Sequence, residues 1–178
     1  MAILPDFMMR ERIESGSLVI EPYDGSMVQP ASIDVRLGEG FLKFYRGQVI
    51  NAKSRGVSMH EHSCKSKITL APGEMCLGTT LERVVVPDDC LMRLEGKSSL
   101  ARLGILVHVT AGFIDPGFDG QITLEIVNLS PCYVELESGI AIGQLSLEQM
   151  AAPAERPYGS EGLGSHYQAQ RGVTASRA

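Results

Sequence analysis

The sequence predicts an all-β subunit, a barrel or two-sheet sandwich preceded by one short helix, on three observations. Short apolar or alternating runs recur along most of the chain, each bounded by Gly, Pro, Asp or Ser. Only one segment carries the punctuation of a helix. The 19 Gly and 9 Pro among 178 residues, with no Trp, supply the turns that a many-stranded chain needs.

The helix spans Pro5 to Ser15 (PDFMMRERIES), with Pro at its start, Asp6 in the first turn, Phe7, Met8 and Ile13 for an apolar stripe, and Gly16 as the stop. Ten strands follow: Leu18 to Glu21, Ile33 to Leu37, Phe41 to Tyr45, Lys67 to Leu70, Met75 to Val86, Leu91 to Glu95, Ile105 to Val109, Ile122 to Asn128, Tyr133 to Leu136 and Ile140 to Leu147. The polar stretch Asn51 to Ser66 is expected to be a loop inserted between strands. From Ala151 onward alternation stops and Gly, Ser, Pro and Gln dominate, so 151–178 reads as a tail that is flexible until something orders it. With no internal repeat or boundary, 1–178 is expected to be a single domain.

The net charge of −5 argues against partners recognised through a broad polyanionic surface, namely nucleic acid or an anionic membrane. A small anion remains open, because screening over about 8 Å leaves local Lys and Arg to decide whether a phosphate binds. Mean hydropathy is +0.04. No apolar run approaches the roughly 18 residues of a membrane span, and the N-terminal residues lack a secretory pattern. Cys64, Cys76, Cys90 and Cys132 form no Cys-x-x-Cys pair. The expectation is a reduced, cytoplasmic protein.

The segment Leu94 to Asn128 holds the densest chemistry. Gly96-Lys97-Ser98-Ser99 offers backbone freedom, an ammonium and two hydroxyls, equipment for phosphate oxygens, without Walker spacing. It also fits a polar turn leading into a short helix, Ser99 to Leu103. Arg102 lies four residues after Ser98 and can share its face. In Ile122 to Val127, period two puts Thr123, Glu125 and Val127 on one face and Ile122, Leu124 and Ile126 on the other. Glu125 is then either a solvent-facing carboxylate or a pocket carboxylate whose burial raises its pKa toward that of a general base. Asp115, ahead of Pro116 and Gly117, either caps a turn or grips a sugar hydroxyl or water. His108 on an apolar strand reads as a core histidine or a site residue. His60, His62 and Cys64 have side chains that suit zinc but no second cluster, and the zinc-deaminase signature is absent.

GKSSLARLG, VHVTAG, IDPGF, GQITLE and IGQL, in this order, resemble the dCTP deaminases of the trimeric dUTPase superfamily, and QPASIDVRLG and PYGSEGLGSHYQAQRG extend the match over nearly the whole chain. The resemblance implies a distorted β-barrel or jelly-roll-like dUTPase-type fold, assembled as a homotrimer with sites between subunits. It implies that Glu125 is the general base that activates water against the ring carbon bearing the cytosine amine. By the same resemblance, Ser98 and Arg102 are expected to position water and pyrimidine, while His108 and Ala111 are expected to shape the base pocket. The resemblance implies that Lys97, Ser98, Ser99, Leu100, Ala101 and Arg102 contact the triphosphate, helped by Mg²⁺ carried on its oxygens, with no zinc and no protein-held metal expected. Asp115 resembles the residue that packs against the deoxyribose, Thr123 and Leu124 flank Glu125, and Gln144, Tyr158, His166 and Gln170 are implied to add contacts. The last three lie on a tail that closes as a lid. His166 departs from the Lys usual at its position.

The Gly112-Phe113 pair resembles enzymes that continue from dUTP to dUMP and pyrophosphate. The alternatives are a deaminase that releases dUTP, a dUTPase, which would lack a carboxylate at the place of Glu125, and a non-catalytic nucleotide-binding regulator.

Overall fold

The computed structural model describes residues 2–54 and 57–177. In chain order the strands are β1 Ala2–Ile3, β2 Val19–Glu21, β3 Val28–Gln29, β4 Ser32–Arg36, β5 Leu42–Phe44, β6 Met59–Glu61, β7 Lys67–Leu70, β8 Met75–Val85, β9 Cys90–Gly96, β10 Ile105–Leu106, β11 Phe113–Ile114, β12 Asp119–Asn128, β13 Val134–Glu137 and β14 Ala141–Gln149; the helices are α1 Asp6–Glu14 and α2 Ser98–Ala101. One six-stranded sheet runs β11-β9-β14-β4-β3 with β1 on β14, and a second runs β10-β12-β8-β5-β6 with β2 on β8. A two-stranded sheet joins β13 to β7. All-β architecture with one N-terminal helix is what the alternation and turns implied.

Alternation translates directly into burial. Along β12 every second side chain faces the core, so Leu124 and Ile126 have no exposed surface while Thr123 and Glu125 are half-buried on the other face. Ile33, Val35 and Leu37, Met92 and Leu94, and Leu145 and Leu147 complete the interior from the facing sheet. β8 bulges opposite Ile122: Gln121 pairs with Arg83, but Thr123 pairs with Thr79. The Thr80 hydroxyl repairs the gap, accepting from Ile122 N at 2.9 Å and donating to Glu82 O at 2.8 Å. The bulge turns Glu82 inward, where its fully buried carboxylate accepts Arg36 Nε at 2.6 Å and Arg36 N at 2.8 Å. Paired on two edges, that carboxylate joins β4 to β8.

Helix α1 follows Pro5; Met8 and Ile13 of the expected stripe pack half-buried against the core, but its fully buried residue is Met9, and Phe7 is 57% exposed. Arg12 sets this rotation. It donates to both Asp89 oxygens at 2.8 Å and to Gln149 Oε1 at 2.7 Å, pinning the helix to the start of β9 and the end of β14.

Four short strands lie outside the ten expected: β1, β3, β6 and β11. The segment read as a loop insertion contains β6, which forms a hairpin with β5 through Lys43↔His60. The strand expected over Ile105 to Val109 ends at Leu106, so His108 lies beyond it. No helix among the described residues is long and apolar enough to cross a membrane.

Candidate active site

The outward row of β12 borders a cavity of about 810 Å³. Thr123 and Glu125 line it from β12, with Ala111, Phe113, Asp115, Tyr158, His166 and Gln170 from flanking segments. A second wall is apolar: Phe44, Ile50, Met59, Met75 and Leu77. The Glu125 carboxylate is half-buried here rather than solvent-facing, and its Oε2 accepts Val109 N at 3.0 Å. Thr123 Oγ1 is buried with no hydrogen-bond partner among the described residues, an orphan polar atom at the cavity wall.

The segment before β11 is packed tightly. A Cβ on Gly112 would stand 3.1 Å from Leu94 O and 3.3 Å from the His108 ring, while Gly112 O accepts Leu94 N at 2.8 Å. His108 is therefore fixed by backbone that approaches as closely as only glycine permits. It does not line the cavity, and its Nδ1 is buried without a partner among the described residues. Phe113 is exposed under the Arg93 guanidinium, 4.4 Å from ring centroid to Cζ. The turn at Asp115 is closed by backbone, Phe118 N to Asp115 O at 3.1 Å. The exposed Asp115 side chain makes no hydrogen bond among the described residues and stands at the cavity edge, so it does not cap that turn.

The tail lies on the same chain. Tyr158 N donates to Pro116 O at 2.7 Å, the Tyr158 and Phe118 rings are 5.9 Å apart, and Tyr158 Oη accepts Tyr167 N at 2.9 Å. His166 and Tyr167 stand edge-on at 6.2 Å. Gln170 is buried at the cavity, with its Oε1 unpartnered among the described residues.

The other expected site residues are elsewhere. Lys97 Nζ lies 2.5 Å from Asp34 Oδ2. Ser98, Ser99, Ala101 and Arg102 are exposed on and just after α2, which begins one residue earlier and ends two residues earlier than expected; Leu100 turns toward the core. Gln144, on β14, accepts from Ser32 Oγ at 3.2 Å and donates to Gly96 O at 3.4 Å. None of these lines the cavity that holds Glu125. Leu124 is a core side chain, so only its backbone can serve a ligand. In one chain the residues therefore form two groups, the Glu125 cavity and the Lys97–Arg102 segment.

Some residues at this site escaped the sequence reading. Tyr167, Met59 and Met75 line the cavity, and Gln121 holds the tail. Gln121 had a signal, since it sits two residues from Thr123 on the same face. Burial pushes the Cys76 thiol up to about 12, so it stays protonated and inert. His60 packs on Tyr45 at 4.8 Å, and no group of three or more His, Cys, Asp or Glu able to hold a metal occurs among the described residues.

The family model described as dCTP deaminase-like matches residues 3–150. The chain is 49% identical over 181 residues to a protein of Streptomyces coelicolor named dCTP deaminase, dUMP-forming, covering 99% of this chain and 95% of that one. A Thermobifida fusca protein of the same name is 48% identical, with 99% and 92% covered. Among solved structures, 2'-deoxycytidine 5'-triphosphate deaminase from Agrobacterium tumefaciens superposes with a TM-score of 0.64 at 24% identity, over 83% of this chain and 48% of that one, about half its length. A mutant dUTPase from phage phi11 of S. aureus, described as coordinating a structural Mg(II) ion, gives 0.50 at 13% identity over 77% of this chain and 93% of that one. The two structures share the fold, and the family match with near-full-length relatives places this chain in the dCTP deaminase-like family.

Proposed function

We propose that this chain is a zinc-independent dCTP deaminase that continues to dUMP, with Glu125 as general base. The observation that carries the reading is a carboxylate held at a cavity wall by one backbone bond, beside the unpartnered Thr123 hydroxyl. Near-full-length relatives named dCTP deaminase, dUMP-forming, support it.

The chemistry is acid–base work. Glu125 takes a proton from water as the oxygen attacks the cytosine carbon bearing the amine, then delivers that proton to the ring nitrogen. A second proton transfer releases ammonia, giving dUTP and NH₃ from dCTP and water. A second water then cleaves the α–β phosphoanhydride, giving dUMP and pyrophosphate, with Asp115 at the cavity edge placed to orient that water. Ala111 borders the base, and Gly112 lets the backbone press against His108. Tyr158, His166 and Gln170 close the cavity from the tail as a lid within a single domain.

Ser98 and Arg102 reach a site only in a neighbouring copy. Both are exposed, and Leu103, Leu106 and Leu129 beside them remain 42–64% exposed, an apolar surface suited to a homotrimer contact. Across it, α2 of one subunit supplies Ser98 and Arg102 to the Glu125 cavity of the next, where they stabilise charge in the tetrahedral intermediate.

Magnesium would arrive on the triphosphate and neutralise its oxygens. Asp34 fits it, because its buried Oδ1 has no partner among the described residues and stands beside Lys97. Lys97, Ser99 and Gln144 then hold phosphate oxygens directly. The substrate is a small nucleotide, with a cytoplasmic location.

Incubation with dCTP and Mg²⁺ followed by separation of products tests the reading. Ammonia, dUMP and pyrophosphate in equal amounts are expected. Accumulated dUTP overturns the second step, and absence of ammonia overturns deamination.

A further inference from the structure

Five hydrogen bonds meet at Gln121. Its Nε2 donates to Thr80 O at 3.0 Å and Leu81 O at 3.1 Å, the two carbonyls freed by the β8 bulge. Its Oε1 accepts Gly172 N at 2.7 Å. Its backbone N–H donates to Gln170 O at 3.1 Å, and its backbone carbonyl accepts Gln170 Nε2 at 2.5 Å. One face of the amide thus grips the body and the other grips the tail. Only a side chain with both a donor and an acceptor does both.

The neighbouring residues are shaped to the same contact. Gly120 forms a parallel bridge with Gln170, and a Cβ there would stand 3.2 Å from Gln170 Cγ and O and 2.9 Å from the Phe118 ring. Charge holds the tail less firmly. Arg171 reaches Asp119 only at 3.5 Å, while Asp119 is already gripped by Arg83 through two bonds of 2.7 Å. Gln170, fixed through its Nε2, carries an unpartnered Oε1 at the cavity.

We infer that Gln121 is a positioning residue that latches the C-terminal tail to the strand bearing Glu125, and so places the Gln170 acceptor at the nucleotide cavity. The latch stands on its own geometry, whereas its effect on turnover rests on the function proposed above. Gln121 sits four residues from Glu125 on the same face of β12, so it sets the tail against the catalytic strand without touching the reacting atoms.

An arginine-specific protease reads the latch directly, because the amide N–H of the Arg171–Gly172 bond is the one whose hydrogen bond Gln121 accepts. Gln121→Lys keeps donors for Thr80 and Leu81 but removes the acceptor; Gln121→Glu keeps the acceptor but removes the donors. Loss of 172–178 is followed by mass spectrometry, beside a thermal melt. The Lys variant is expected to be cut about 2- to 12-fold faster, the range of one net hydrogen bond, and the Glu variant to be loosened less, because it keeps the acceptor for Gly172 while losing its hold on Thr80 and Leu81. With dCTP and Mg²⁺, KM is expected to rise by a similar factor in the Lys variant while kcat holds. Cleavage of the Lys variant at the wild-type rate overturns the latch, as does a Glu variant loosened equally. A fall in kcat at constant KM overturns the positioning role. Amide exchange in the wild-type chain covers a variant that does not fold: Gly172 is expected to be protected, and an unprotected Gly172 overturns the proposal. The cleavage and exchange readings need no turnover, so they separate failure of the latch from failure of the deaminase reading.

Discussion

The Glu125 carboxylate accepts the Val109 backbone N–H at 3.0 Å, so one oxygen ties the segment after β10 to β12 while the other has no protein partner among the described residues. Glu125→Gln keeps an acceptor for Val109 and removes the proposed base. Ammonia release is expected to fall about 10²- to 10⁴-fold. Calorimetric titration is expected to show dCTP binding retained, and the melting temperature to move by less than about 3 °C. A variant that binds dCTP and still deaminates it at the wild-type rate would remove Glu125 from the chemistry.

Lys97 is held by Asp34 at 2.5 Å, with both side chains largely buried. Lys97→Met leaves that carboxylate unpaired and is expected to lower stability, whereas Lys97→Met with Asp34→Asn restores the melt. Both variants are expected to raise KM for dCTP about 10- to 100-fold, the loss of one charged hydrogen bond to phosphate. If KM recovers together with the melt, Lys97 does not hold the triphosphate.

Gly112 has its neighbours at 3.1 Å and 3.3 Å from any Cβ. Gly112→Thr is expected to push the His108 ring aside and shift the Ala111–Asp115 segment, costing about 1–3 kcal/mol of stability. Since Asp115 is assigned to the second hydrolysis, the variant is expected to release more dUTP relative to dUMP. Chromatographic separation of the two nucleotides reads that ratio, and an unchanged ratio would detach Gly112 from the second step.

Arg12 holds the Asp89 carboxyl at about 2, below its ordinary value of 3.8. A depressed folded pKa contributes stability that is full above pH 3.8 and lost as pH falls through about 2. The contribution at neutral pH is about 2 kcal/mol. Asp89→Asn is expected to lose that amount at pH 7 in urea melts and to show a shallower decline of stability between pH 4 and 2 than the wild type.

The sequence carried the long strands because burial on one face imposes period two. Met75–Val85, Asp119–Asn128 and Ala141–Gln149 were all foreshadowed by alternating or apolar runs. Strands such as Ala2–Ile3 and Phe113–Ile114 span two residues, too short for any period to register. Met9 rather than Phe7 is buried because the Arg12–Asp89 pair, 77 residues apart in sequence, fixes the rotation of α1. The docking of the tail was hidden for another reason. Besides the Tyr158–Phe118 contact, its anchors are backbone groups and the amides of Gln121, Gln168 and Gln170, which leave no hydrophobic pattern. Motif order named Ser98, Arg102 and Glu125 together, but spacing cannot say that the first two fold away from the third.

That separation makes the shared site the claim most open to test. Glu125→Gln and Arg102→Ala chains are purified separately, unfolded, mixed in equal amounts and refolded, and ammonia release from dCTP is measured. Each variant alone is expected to be nearly inactive. Random mixing in a cyclic trimer leaves about one quarter of the sites with Glu125 from one subunit and Arg102 from the next, so about one quarter of wild-type activity is the predicted result. Mixed trimers, verified by mass, that stay as inactive as their parents would contradict a site shared between subunits.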